Sequence, residues 1–211
     1  MPRKSSPSSR PLEPARNALG PGDWIQAALG SISRDGLAAV SVEGLARDLG
    51  VTKGSFYWHF SSREDLLREA LATWEQAMGL DVAVRFKGIA DPRERLRILM
   101  FAAFEDRDNG LLFAALSATS SDPLVQPVLQ RVSERQMALG TSSLRALGFS
   151  QEEARRRAIF LYSAYAGYFS LQRATPGTIG EVDELSTYVK YLVDALLPAL
   201  DSPRPDEAGP E

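Results

Sequence analysis

Between Val42 and Phe60 the residues can satisfy only a narrow set of local structures. Val42, Leu45, Ala46 and Leu49 recur at helical spacing, Gly50-Val51 interrupts them, and Phe56 and Phe60 follow four residues apart. That order predicts two short helices joined by a tight turn, with Phe56 and Phe60 plugging the second into a core. Lys53, Ser55, Tyr57 and His59 are then polar tips with no packing duty. A short helix with an apolar underside and such tips suits the major groove of DNA.

The rest of the chain is patterned for helices around this element. Trp24, Ile25, Ala28, Leu29 and Ile32 predict a first helix from Asp23, closed at Asp35-Gly36. Ser41 is placed to cap the second helix and Thr52 the third. Gly44 and Gly54 lower helix propensity by up to about 1 kcal/mol each; they suggest close approach of helix to helix at Gly44 and of backbone to DNA at Gly54. Ser61 or Ser62 caps a fourth helix running through Leu66, Leu67, Ala70, Leu71 and Trp74. Asp91-Pro92-Arg93-Glu94 starts the next. Gly110 is expected to break the chain before a short helix over Leu111 to Leu116. Asp122-Pro123 opens a helix that Gly148 stops, with Pro127 kinking its early part or marking a later start. Ser150-x-x-Glu153 is a capping box for a helix to about Leu171 or Ala174, and the last helix spans about Glu181 to Leu197. Strand-like alternation is essentially missing. The expected fold is all-α: an N-terminal three-helix DNA-binding head with a helix-turn-helix (21–66), joined to a larger helical ligand-binding and dimerisation body (67–200). A flexible basic arm (1–20) and a disordered tail (201–211) complete the organisation.

Composition narrows the function. The 211-residue chain is 44% hydrophobic and has no cysteine, which removes disulfides, thiolate nucleophiles and Cys-bound metals. Neither a signal-peptide run nor a spanning segment is evident, so a cytoplasmic protein without membrane contact is expected. The formal charge of −3 does not itself suggest nucleic acid, but phosphate attraction acts locally. Arg3, Lys4, Arg10 and Arg16 outnumber Glu13 in the leading segment. His59 is the single histidine, so any histidine-based metal site or triad must use it. Paired carboxylates, metal clusters, phosphate-cradling loops and nucleophile elbows are not found; no enzyme, cofactor or metal is expected. A noncatalytic helical scaffold would leave the Lys53/Tyr57/His59 surface idle.

On the third helix Lys53 can donate to guanine or neutralise a phosphate, and Ser55 is short enough to touch a base. Tyr57, His59 and Arg63 suit backbone contacts, and Thr52 combines cap and phosphate donor. Trp58 is open to two readings, core packing or contact with the DNA backbone. From about Trp24 to Leu67 the chain resembles the TetR family of bacterial transcriptional regulators. The resemblance rests on Ala27-Ala28 and Gly36, on Val42-Glu43-Gly44-Leu45-Ala46, on Gly50 to Phe60, and on Ser62-Arg63-Glu64-Asp65-Leu66-Leu67. It implies DNA-contact roles for Thr52, Lys53, Ser55, Tyr57, His59 and Arg63. Gly30 departs from the bulkier residue common there.

One small head neutralises few phosphates, so two heads reading a palindromic double-stranded operator are expected. The apolar stripe of the last helix (Leu185, Val189, Leu192, Leu196) and the preceding helix (Ile159, Tyr162, Ala166, Phe169) are assigned to a homodimer seam, as the resemblance also implies. Trp74, Phe101, Phe104, Phe113, Tyr162 and Tyr165 are candidates to line a cavity for a small organic effector. By the resemblance, its binding shifts the fourth helix and releases a repressor from DNA; an activator or corepressor-dependent regulator of the same fold is the alternative.

Overall fold

The computed structural model describes residues 19–85, 88–179 and 182–196, without the side chains of 79–85 and 182–184. Most of the expected arm and all of the expected tail lie outside these residues. Among the described residues there are nine α-helices and no strand: α1 (Pro21–Asp35), α2 (Val42–Asp48), α3 (Lys53–Phe56), α4 (Arg63–Arg85), α5 (Pro92–Glu105), α6 (Arg107–Ser117), α7 (Val125–Ala146), α8 (Gln151–Ala174) and α9 (Val182–Leu196). The all-α expectation holds.

Local chemistry accounts for most helix starts. The Ser41 hydroxyl accepts from the Gly44 amide at 3.1 Å and the Ser150 hydroxyl from the Glu153 amide at 3.2 Å; each satisfies one of the four donors that a helix N-terminus leaves unpaired. At α4, Ser62 Oγ accepts from the Asp65 amide while the Asp65 carboxylate accepts from the Ser61 amide and hydroxyl. Asp91 accepts from the Arg93 amide, and Pro92 occupies the first helical position, where no amide is needed. Pro127 sits in the first turn of α7, so the later start is the correct alternative. Two glycine readings change. Gly44 makes room for the Ser41 cap, whose Oγ would lie 2.8 Å from an added Cβ, rather than for another helix. Gly110 lies inside α6 and does not break it.

The head core is built on Trp24, Ile32, Leu45, Phe56 and Leu66, all buried. Trp24 meets Phe56 edge-on with centroids 5.3 Å apart, and Phe56 stacks on Phe60 at 5.6 Å. The same cluster continues through Leu67, Leu71 and Trp74 of α4 to Leu112, Phe113 and Leu116 of α6 and Val125 and Val132 of α7. Because α4 is unbroken and α6 packs across α1, the head shares its interior with the body. A second core joins Leu96, Met100 and Phe104 of α5, Ala158, Leu161 and Phe169 of α8, and Val189, Leu192 and Leu196 of α9.

Candidate nucleic-acid interface and effector cavity

Gly50, with φ at 68°, adopts the left-handed backbone that lets α2 turn tightly into α3. Regular α3 is only one turn long, and Tyr57 to His59 continue it as turns held by the His59 and Phe60 amides on the Phe56 carbonyl. Phe56 faces in, so its neighbours face out: Tyr57 is 55% exposed and Trp58 88% exposed. Solvent exposure excludes the core reading of Trp58. Thr52, Lys53 and Gly54 are exposed and Ser55 half-buried. Thr52 holds the cap position without a side-chain cap bond, and Gly54 has only Thr52 Oγ1, at 3.7 Å, near a would-be Cβ.

Three of the expected contact residues already have protein partners. Lys53 Nζ is paired with Glu43 on α2, which holds the Glu43 carboxyl below and the Lys53 ammonium above their ordinary pKa values. Both groups are exposed, so solvent screens the pair and it contributes little to stability. His59 Nε2 donates to the Leu19 carbonyl at 3.1 Å, tying the recognition turn to the segment preceding α1. Arg63 has two such partners: Nε donates to the Val40 carbonyl at 2.6 Å and Nη2 to the Leu37 carbonyl at 2.7 Å. Its guanidinium braces the segment between α1 and α2.

A cavity of about 160 Å³ lies between α4, α5, α6, α7 and α8. Phe104, Phe113, Tyr162 and Tyr165 line it, together with Met78, Leu99 and Met100. Trp74 and Phe101 do not line it. Trp74 is drawn into the head–body core at 1% exposure, and Phe101 packs half-buried against the second core with the Arg97 guanidinium over its ring. Burial was legible for both, but not which side of the helix the cavity would take. Polar groups that sequence reasoning missed are Asp106, Asn109 and Gln136. An aspartate at a helix junction two residues after Phe104 is the signal that could have found Asp106.

The Asp106 carboxylate caps α6, accepting from the Asn109 amide at 3.3 Å and from its Nδ2 at 2.7 Å. The Tyr162 hydroxyl shares a 2.7 Å hydrogen bond with Ser133 Oγ. Burial raises the Tyr162 phenol above its ordinary pKa, against a smaller opposing effect of that bond. Burial also raises Tyr165, assisted by the Asp106 charge and then by Tyr162. Both phenols therefore stay neutral at physiological pH. Head and cavity are linked through α4: Arg131 of α7 grips Glu75 with two bonds of 2.8 and 2.6 Å, and Gln136 donates to the Met78 carbonyl at 3.1 Å.

The seam assignment needs correction at several positions. Val189, Leu192 and Leu196 are buried against α5 of their own chain, with Leu185 packed beside them. Phe169 is 1% exposed and stacks on Phe104. Tyr162 lines the cavity, and Ala166 packs half-buried against the head–body core. Of the eight expected seam residues only Ile159 is exposed. Other exposed large apolar side chains on these helices are Phe160 and Leu171 of α8, each about half exposed, and Tyr191 of α9 at 70%.

A helix-turn-helix with outward polar and aromatic tips, set on a helical body containing an apolar cavity, defines the class of helix-turn-helix regulators. Residues 25–70 match the family model of bacterial regulatory proteins of the tetR family. The chain is 32% identical to the HTH-type transcriptional regulator AcrR of Shigella flexneri over 82 residues, 38% of this chain and 38% of that protein. It is 33% identical to the HTH-type transcriptional repressor KstR2 of Mycobacterium tuberculosis over 87 residues, 40% of this chain and 42% of that protein. These matches thus span about two-fifths of each relative. Over a longer stretch the fold resembles a putative transcriptional regulator from Saccharomonospora viridis in complex with choline, at TM-score 0.71 and 22% identity, covering 82% of this chain and 95% of that one. The sequence likeness to the tetR family therefore lies in the helix-turn-helix head and the start of α4. No helix among the described residues is long and apolar enough to cross a membrane.

Proposed function

We propose that this protein is a homodimeric transcriptional repressor that binds a palindromic operator and leaves it when a small organic molecule fills the body cavity. The observation that carries the reading is the single helix α4. It holds Leu66 and Leu67 in the head core and, three turns later, supplies Ala77 and Met78 to the cavity wall. A ligand can shift this system only by binding the DNA-incompetent arrangement more tightly, and α4 is a continuous element on which both sites act. Lys53, Ser55, Tyr57 and His59 make the contacts, with Thr52 and Gly54 at the helix start and Trp58 added to the set. Choline in the S. viridis neighbour shows that a protein of this fold holds a small molecule.

Footprinting on DNA flanking the gene's own coding region tests the operator. Symmetric protection by the wild type is expected to vanish in Tyr57→Ala while the thermal melt stays the same, because Tyr57 is more than half exposed. Equal weak binding to any duplex would reject sequence-specific recognition.

The seam is expected on α8 and α9 at the exposed apolar side chains Ile159, Phe160, Leu171 and Tyr191, which a second copy would cover. Phe160→Glu is expected to produce folded monomers by sedimentation. Leu192→Glu, which buries a charge against α5, is expected instead to lower the melting temperature. A Phe160→Glu protein that sediments like the wild type would reject this seam.

A further inference from the structure

The cavity's chemistry narrows its occupant. Its wall is apolar except for a few groups, and only one of these is charged: Asp106. No Lys, Arg or His is among the lining residues described. The α6 N-terminus beneath Asp106 contributes about half a unit of positive charge, against a full negative charge on the carboxylate. The local balance is therefore negative. A carboxylate-bearing ligand would meet that charge with no described cation to receive it, and desolvation would not be recovered.

The aromatic walls act in the same direction. Phe104 and Tyr165 meet at 82°, Phe113 and Tyr162 at 72°, and Phe113 and Tyr165 at 52°. Four rings of differing tilt thus border one space, and each carries two electron-rich faces. A cation over such faces is attracted, most strongly where water is excluded. The neutral Tyr165 phenol adds a dipole without a competing charge. As for size, a cavity near 150 Å³ admits benzene, and this one measures about 160 Å³.

We infer that the cavity binds a compact lipophilic cation, an arylalkyl amine or quaternary ammonium, with its positive centre at Asp106 and its apolar part among Phe104, Phe113 and Tyr165. The inference rests on the effector reading above and specifies its ligand class.

Three probes of nearly equal size separate charge from shape: benzyltrimethylammonium, its neutral isostere neopentylbenzene, and the anion 3-phenylpropionate. Calorimetry on the full chain is expected to rank them cation, neutral, anion, with at least about a tenfold gap between the first two. Asp106→Asn keeps the α6 cap, since asparagine caps as well as aspartate, and is expected to erase that gap. Asp106→Glu, which retains the charge, is expected to restore part of it. Circular dichroism confirms that each variant is folded. Equal or tighter binding of 3-phenylpropionate, an unchanged cation preference in Asp106→Asn, or no binding of any probe at millimolar concentration would overturn the inference. Operator affinity is measured separately. If benzyltrimethylammonium binds through Asp106 without weakening the operator complex, the ligand class stands and release by that ligand fails.

Discussion

Gly110→Ala is expected to destabilise the protein by about 2–3 kcal/mol, lowering its melting temperature by roughly 5–10 °C. The direction is not obvious, since alanine in mid-helix gains up to about 1 kcal/mol over glycine in propensity. Packing reverses the sign. A Cβ at Gly110 would lie 2.2 Å from Phe169 Cζ and 2.3–2.4 Å from the flanking ring carbons. The ring has nowhere to go, being stacked on Phe104 and set edge-on to Tyr165 and Tyr168. Thermal unfolding of Gly110→Ala, Phe169→Leu and the double variant gives the decisive comparison. If ring and methyl compete for one space, the double variant loses less stability than the two single losses together. Strict additivity, or a melting temperature raised by Gly110→Ala, would show that α6 and α8 do not meet in this way.

Phe56→Ala is expected to cost about 3–5 kcal/mol and to abolish operator binding with it. Phe56 is completely buried, with Trp24 and Phe60 against its ring. It is also the single buried residue of α3, a helix too short to persist by propensity alone. Losing the ring leaves little to hold the recognition turn against α1. Tyr57→Ala, one residue along, makes the contrast: protection lost with an unchanged melt. A Phe56→Ala protein with native stability and a native footprint would show that α3 is held by something other than this ring.

Much of this was legible because it is local. The period of Trp24, Ala28 and Ile32, the Ser41 and Ser150 caps, the Asp91-Pro92 start and the Gly50 turn depend on neighbours within a few residues. Backbone geometry converts them directly into helices. The outward tips followed from the same period: once Phe56 and Phe60 point inward, Tyr57 to His59 must point out. Trp58 was the exception. Core packing and DNA-backbone contact both fit its chemistry, and its place between two outward residues decides for exposure.

The misreadings share another cause. Gly110 looked like a break because glycine destabilises helices, and only the arrival of Phe169 from α8, far along the chain, explains it inside α6. Arg63, expected at a phosphate from its place at the start of α4, also holds the Val40 and Leu37 carbonyls, which only the fold brings to its guanidinium. Val189, Leu192 and Leu196 were correctly apolar on one face, but α5 of the same chain covers that face. Sequence alone determined the number and type of elements, the helix-turn-helix and the direction of its tips, since these arise from short-range periodicity and capping. Tertiary structure decided which apolar face meets which neighbour, where a cavity remains, and that Asp106 carries its charge. Those outcomes depend on how helices distant in sequence dock together, and a helix's own pattern of apolar residues is the same whichever partner covers it.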